Sequence, residues 1–423
     1  MTRRFQQGSC AAPVAIAALL SPALSHAAGY DQPVPFTARN IGVGGTAVAA
    51  ADDATAPAYN PAGLAWVSGV EVLGGVTLMM GTLRASPESD TNVESERIVA
   101  PLPFLSAASK LFDRVHVGLA IHPIAAAGAI YEYEGAVGLT RDETRAAFVE
   151  AALGVGVRLP LGLALGIAHR TTYATLSRYK RGANASGPGI ELNLDGIDFT
   201  GVRLGAQWHA LQDAPHATAA TRRRLRFGVA YRHPIEIDVH GETGTVFSQP
   251  ATDTTTTLRL PARLTGGIRL DFGRFGAAFE TDYVNNAAND RAAVRAELTG
   301  AALDVPAIFD WQDAVTLRAG AEYRTLSDGE LALRIGFVRD GTSASRTYPS
   351  PFGPPPAPTH VATLGAGFSR ESWSMNLGYG LRFGETTINE SELGRDACAF
   401  CGYSGEYSTQ LHLISADFSR RFD

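Results

Sequence analysis

The chain has 423 residues, a net charge of −6, only 18% charged side chains and 45 glycines. That balance offers nothing to nucleic acid: the one basic run, Arg222-Arg223-Arg224, falls in a predicted turn, where a solvated cluster accounts for it. Beyond the first 28 residues no stretch reaches the roughly 18 apolar residues of a membrane-crossing helix, so the rest is either water-soluble or crosses a membrane as strands.

Residues 1–28 read as an export signal. Arg3 and Arg4 precede an apolar run from Ala11 to Leu24, and Ser25-His26-Ala27 supplies small residues for cleavage before Ala28. Pro13 and Pro22 interrupt a run already too short to span a bilayer. Loss of the two arginines takes the net charge from −6 to −8, since the segment holds no Asp or Glu. Cys10 leaves with the signal and precedes the apolar run, so it is no lipoprotein acceptor.

Residues 29–68 are expected to form a plug, or hatch. Ala38–Leu64 is rich in Gly and Ala, nearly uncharged, and closes on Asn60-Pro61-Ala62-Gly63-Leu64. Gly42-Val43-Gly44-Gly45-Thr46-Ala47 has the spacing of a dinucleotide loop, but Pro33 and Pro35 leave no buried strand before it, since proline cannot donate to a central ladder. Small residues here suit close packing inside a lumen instead.

From residue 69 onward the pattern has period two. Leu225, Phe227, Val229, Tyr231, Ile235, Ile237 and Val239 alternate with Arg226, Gly228, Ala230, Arg232, Glu236, Asp238 and His240. Val315, Leu317, Ala319, Ala321 and Tyr323 alternate with Thr316, Arg318, Gly320, Glu322 and Arg324. One apolar face and one mixed polar and small face over about ten residues is the mark of a barrel strand between lipid and a filled lumen. Strands are expected near 69–83, 101–110, 114–124, 144–159, 162–180, 195–210, 223–242, 254–271, 274–299, 312–324, 330–340, 359–369, 373–387 and 408–422, about fourteen in all, the even count that places both ends on one side. Short connections such as Pro160-Leu161-Gly162 and Arg370-Glu371-Ser372 suit inner turns. The long ones, 84–100, 125–143, 181–194, 341–358 and 388–407, suit outward loops. Tyr131, Tyr133, Tyr173, Tyr179, Tyr231 and Tyr283 are expected in interfacial girdles. At the C-terminus Ile414, Ala416, Phe418 and Phe422 share one face. The fold class is therefore all-β, a transmembrane antiparallel barrel over 69–423 with the hatch in its lumen.

Chemistry-bearing motifs are few. There is no Gly-x-Ser-x-Gly elbow for His116, His122, His169, His209, His233 or His240 to serve, so no catalytic residue is assigned, and no spacing suits a metal or a cofactor. Cys398 and Cys401 (CAFC) suit a disulfide that pins a loop in an oxidising compartment. Arg170, Arg232, Arg259, Arg263, Arg318 and Arg334 are expected in the lumen, paired with acids such as Glu236, Asp271, Glu280 and Glu322. Pro123 ends the third strand, either simply closing it or kinking it to open the wall.

Gly42, Gly44, Gly45, Ala47, Ala50, Asp52, Asp53, Ala54 and above all Asn60-Pro61-Ala62-Gly63-Leu64, together with Leu260-Pro261 and Leu317–Tyr323, resemble the FadL/TodX family of outer-membrane transporters of long-chain fatty acids and hydrocarbons. The resemblance implies a monomeric fourteen-stranded barrel in the bacterial outer membrane, surrounded by its lipid. It takes a hydrophobic small molecule at the outer loops, passes it to a lumen pocket and releases it sideways without an energy source. It puts Asn60, Pro61 and Ala62 in the hatch, Pro123 near a kink in the third strand, and Arg178, Lys180 and Arg295 nearest the positions that hold a ligand carboxylate. Two departures stand out: the segment after the third strand is short for a capture loop, and the chain ends in Asp423. The related PorV-type barrels have a similar hatch and serve protein secretion or surface attachment, an alternative that the sequence leaves open.

Overall fold

The computed structural model describes residues 37–89, 91–213, 222–298, 300–325, 330–396, 398 and 401–422; the export signal lies outside them. Among the described residues fourteen antiparallel strands close into one barrel. They are β1 (Val70–Ala85), β2 (Ile98–Lys110), β3 (Val115–Gly135), β4 (Gly138–Arg158), β5 (Leu163–Gly182), β6 (Ile190–Gln212), β7 (Arg223–Arg232 continued by Ile235–Val246) and β8 (Gln249–Leu260 and Arg263–Phe272). The circuit continues with β9 (Phe275–Val284 and Arg291–Leu298), β10 (Ala301–Ile308 and Ala314–Arg324), β11 (Glu330–Asp340), β12 (Thr359–Arg370), β13 (Trp373–Ile388) and β14 (Gly405–Phe422). Each strand pairs with the next, and β14 returns to β1 with Val70 opposite Phe422 and Arg84 opposite Ser408. Closure into a barrel is the condition for strands to cross lipid; neighbouring strands part in a stretch between β2 and β3. No helix among the described residues is long and apolar enough to cross a membrane.

The outer surface is apolar. Leu153, Ile167, Leu204, Val229, Ile268, Phe337, Leu364 and Leu377 are exposed, as are Ile414, Phe418 and Phe422 on the last strand. A continuous apolar belt of this kind costs free energy in water and is matched by lipid. Tyr173 and Tyr283 stand on it, whereas Tyr131 and Tyr133 point inward and are buried, contrary to their expected place in the girdle.

The reason is a correction to the third connection. Residues 125–143 are not an outward loop: β3 runs on to Gly135, β4 begins at Gly138, and two residues turn the hairpin. Alanines and glycines weakened the apolar signal there, although the alternation continues through them.

The alternation also changes face part-way along the wall. β7 is interrupted at His233-Pro234 and β8 at Pro261-Ala262, because proline cannot extend the ladder. Below these breaks Phe227, Val229, Leu264 and Ile268 face outward; above them Ile235, Ile237, Val239, Leu258 and Leu260 are buried inside. Arg259 and Glu236, expected in the lumen, therefore pair with one another on the outside. The interior is polar near the chain termini and apolar at the opposite end.

Residues 37–69 fill the polar half. A helix (Ala38–Gly42), a second short helix (Ala56–Tyr59) and a 3-10 turn (Pro61–Trp66) are almost wholly buried. The wall admits them through glycines. A Cβ on Gly166 would overlap the backbone of Pro61 and Ala62, one on Gly205 the Asn60 side chain, and one on Gly228 the Val48 carbonyl. On the far side a Cβ on Gly320 would overlap Val43, one on Gly336 would overlap Gly44, and one on Gly378 would come within 2.6 Å of the Ala38 carbonyl. Glycine weakens a strand, so its recurrence at inward positions marks close backbone approach.

Candidate functional site

The hatch is held by side chains that reach its backbone. Asn60 Nδ2 donates to the Val48 carbonyl at 2.8 Å and to that of Ala206 on β6 at 3.1 Å, while its Oδ1 accepts from Ala62 N at 3.2 Å. Glu280 accepts from the backbone of Ala47 and Val48, both at 2.7 Å, and Arg203 donates to the Pro57 carbonyl at 2.8 Å. Arg158 donates to the Ala65 carbonyl at 2.6 Å, and Trp66 stacks on His209 with centroids 3.8 Å apart. On the terminal side Arg39 meets Asp53 at 2.8 Å and Asp52 at 3.6 Å, and Arg226 bridges Asp52 and Asp271, both at 2.9 Å. Burial would raise the Asp52 carboxyl, but the guanidiniums of Arg39 and Arg226 overcome it and hold its pKa at about 2.

Asn60, Pro61 and Ala62, expected in the hatch, sit at its contact with β5 and β6. The buried charges around it are paired. Arg170 and Arg203 share Glu150 at 2.6 and 3.0 Å, Arg318 meets Asp282 at 2.7 Å and Glu280 at 3.2 Å, Arg263 meets Asp282 at 3.4 Å, and Arg334 meets Glu322 at 2.7 Å. Such pairs specify geometry more than they stabilise it.

Above the hatch a cavity of about 100 Å³ lies between Val48, Ala58 and Tyr59 below and His122, Pro123 and Ile124 at the wall. Higher still is an apolar chamber of about 110 Å³, lined by Leu176, Leu192, Leu194, Leu258, Val294, Trp311 and Phe352. Leu258 belongs to this lining because the alternation of β8 changes face at Pro261.

The third feature is an opening in the wall. β2 pairs with β1 from Ile98 to Ser109, but with β3 only from Leu105 opposite Ile121 to Lys110 opposite His116. Two residues beyond Ile121 the β3–β4 register shifts between Pro123 and Ala125, leaving Ile124 as the extra residue of a bulge. A cavity of about 540 Å³ follows, lined by inward Leu83 and Leu102 and by outward Val99 and Ala147, so residues of both faces of the wall border it. Pro123 thus sits where the ladder to β2 stops.

Of the expected carboxylate-binding residues, Arg178 and Lys180 come together at Asp142, and Arg295 stands apart from them. Arg178 is buried at the chamber's edge and bonded to Asp142. Lys180 lies nearby, 3.4 Å from Asp142 and 3.5 Å from Glu88. Arg295 faces outward beside Asp304 at 3.5 Å, because its neighbours Val294 and Ala296 take the inward positions on β9. Cys398 and Cys401 are bonded to each other, their Cα atoms 5.6 Å apart, and lie against the Ile308 carbonyl. Sequence reasoning missed Tyr131 and Phe352, which lay in segments read as loops, and the inward glycines, whose recurrence at alternate positions was the available signal.

No family profile and no curated protein sequence matches the chain. Solved structures do. A Pseudomonas aeruginosa FadL homologue aligns at TM-score 0.73 over 94% of this chain and 100% of its own, with 14% identity. The chain has the FadL/TodX barrel fold. The Pseudomonas putida toluene transporter TodX matches at TM-score 0.66 and 15% identity, covering 92% of this chain and 99% of its own. The Ralstonia pickettii toluene transporter TbuX matches at 0.65 and 16%, covering 93% of this chain and all of its own. In this FadL/TodX-type barrel residues 37–69 lie inside the lumen, and the cavity beside β3 is bordered by residues of both faces of the wall.

Proposed function

We propose that the chain is a FadL/TodX-family channel of the bacterial outer membrane, without catalytic activity, that passively admits long-chain fatty acids or other hydrophobic compounds. A ligand enters from the loops, occupies the apolar chamber and leaves sideways through the wall into lipid. The observation that carries this reading is the cavity between β2 and β3, lined by both inward and outward residues, beside a lumen occupied in its polar half by residues 37–69. An apolar solute has little reason to pass the polar hatch, since burying it among charged groups forfeits the free energy gained on leaving water. Lipid lies across the gap.

Within that reading a neutral hydrocarbon fits better than a carboxylate. Arg178 at the chamber's edge is engaged by Asp142, so an anionic ligand has to compete with a buried acid. The cysteine pair is taken as an oxidised brace on the outer loop, and the working unit as a monomer.

The test is uptake of radiolabelled toluene and oleate by outer-membrane vesicles carrying the protein, with organic extracts of the purified barrel analysed by mass spectrometry. Uptake above empty vesicles together with a co-purifying lipophile supports transport. An empty barrel that takes up neither and retains a protein from its host would replace this reading with a secretion role.

A further inference from the structure

The apolar interior is divided in two, and the divider is one side chain. The inner chamber and the wall cavity share Ala127, Ala146, Phe352, Gly353 and Pro354. Ala127 and Ala146 are opposite one another in the β3–β4 ladder, so one side of the threshold is two methyl groups on a fixed wall. Its other side is Phe352, on the 341–358 connection between β11 and β12, which dips inward until the ring is buried.

The connection is tied down around this ring. Tyr131 Oη donates to the Pro351 carbonyl at 2.6 Å, and the two rings meet edge-on with centroids 5.7 Å apart. The Arg178 guanidinium lies 4.8 Å from the Phe352 centroid. Farther out, Arg346 meets Glu392 at 2.8 Å and Gly402 N donates to the Pro349 carbonyl at 2.6 Å, joining this connection to the one that carries the cysteines. The backbone is braced on both sides, which leaves the Phe352 side chain as the part of the threshold that can rotate.

We propose that Phe352 is the specificity-determining residue of the channel: it sets the length of hydrophobic molecule that passes from the inner chamber to the wall opening. This rests on the transport reading above and adds a selection step to it. With the ring in place, the chamber of about 110 Å³ holds a compact molecule, near the size of an engineered cavity of ~150 Å³ that binds benzene. A long chain has to lie across the threshold and hold the ring aside for its whole passage, at the cost of the Arg178 and Tyr131 contacts. A compact molecule displaces it only briefly.

The experiment compares uptake of toluene with that of dodecane and hexadecane by vesicles carrying wild type, Phe352→Ala, Phe352→Leu and Ala146→Leu, each first checked for folded migration on unheated gels. Wild type takes up toluene in preference to hexadecane. Phe352→Ala raises the hexadecane-to-toluene ratio by about tenfold or more, a range that pocket truncations reach, with Phe352→Leu between. Ala146→Leu, which narrows the threshold from its fixed side, lowers the ratio. An unchanged ratio in folded Phe352→Ala, with wild type active on toluene, overturns the proposal and leaves transport standing. A wild type inactive on every solute defeats the transport reading instead.

Discussion

Asn60 and Ala206 are joined by a hydrogen bond of 3.1 Å, and through it the hatch is fastened to the middle of β6. The same side chain also holds Val48 and Ala62, so three backbone groups depend on one amide. Asn60→Ala removes all three hydrogen bonds; the Val48 carbonyl keeps Gln207 Nε2 at 3.1 Å, and leaving the buried Ala62 N–H unsatisfied costs about 1–3 kcal/mol. The expected outcome is a barrel of normal folded migration with intermittent ion conductance in planar bilayers. A variant as tight as wild type would show that the hatch seats without this contact.

Glycines on the wall make a second prediction. Gly166 and Gly205 are opposite one another on β5 and β6 and both abut the Asn60–Ala62 turn. Gly166→Val forces the turn off the wall, with an overpacking cost of about 1–3 kcal/mol. Gly266 on β8 has open space around a Cβ, and Gly266→Ala is expected to behave as wild type. Permeability to a small hydrophilic dye distinguishes them: entry through the Gly166 variant alone is the expected result.

Acid should loosen the Asp52 contacts of the hatch only at extreme values. Asp52, with its pKa held at about 2 between Arg39 and Arg226, contributes stability that is complete above the ordinary carboxylate range near pH 4. That contribution is lost as pH falls through about 2, when the folded-state carboxyl takes up its proton. Ion conductance should therefore stay low at pH 4 and rise near pH 2. Asp52→Asn should shift the opening towards neutral pH. Opening of the wild type at pH 5 would assign the closure to other groups.

Much of this was legible in the chain. All fourteen strands appear where alternation placed them, because one face meets lipid and the other a filled lumen throughout. The small residues of 38–64 were read as suited to close packing in a lumen, and residues 37–69 lie buried inside the barrel. What failed has a common origin: period two reports which residues share a face, but not which face is inside. At Pro234 and Pro261 the chain keeps its alternation and exchanges its faces, so Glu236 and Arg259 were read as internal and Ile235 and Ile237 as external. The β3–β4 hairpin was missed because Ala125–Ala127 carry small side chains, and Ala126 and Ala127 are among the residues lining the cavities. Arg295 was carried over from a resemblance that fixes strands better than single positions. Phe352 was out of reach, since nothing in a connection's own residues says that it folds back into the lumen.

Exit through the wall beside β3 depends on the gap between β2 and β3, and deletion of Ile124 should close that gap. Removing the one extra residue makes the β3–β4 register continuous from Pro123 to Ala125 and preserves the inward positions of His122 and Ala125. A straightened β3 continues its ladder with β2 past Ile121, so the opening closes while hatch and chamber remain. Toluene uptake by vesicles carrying this variant is expected to fall to the level of empty vesicles, with folded migration and ion conductance unchanged. Uptake equal to wild type from a barrel in which β2 and β3 are shown by cysteine cross-linking to have zipped together would contradict exit through the wall beside β3.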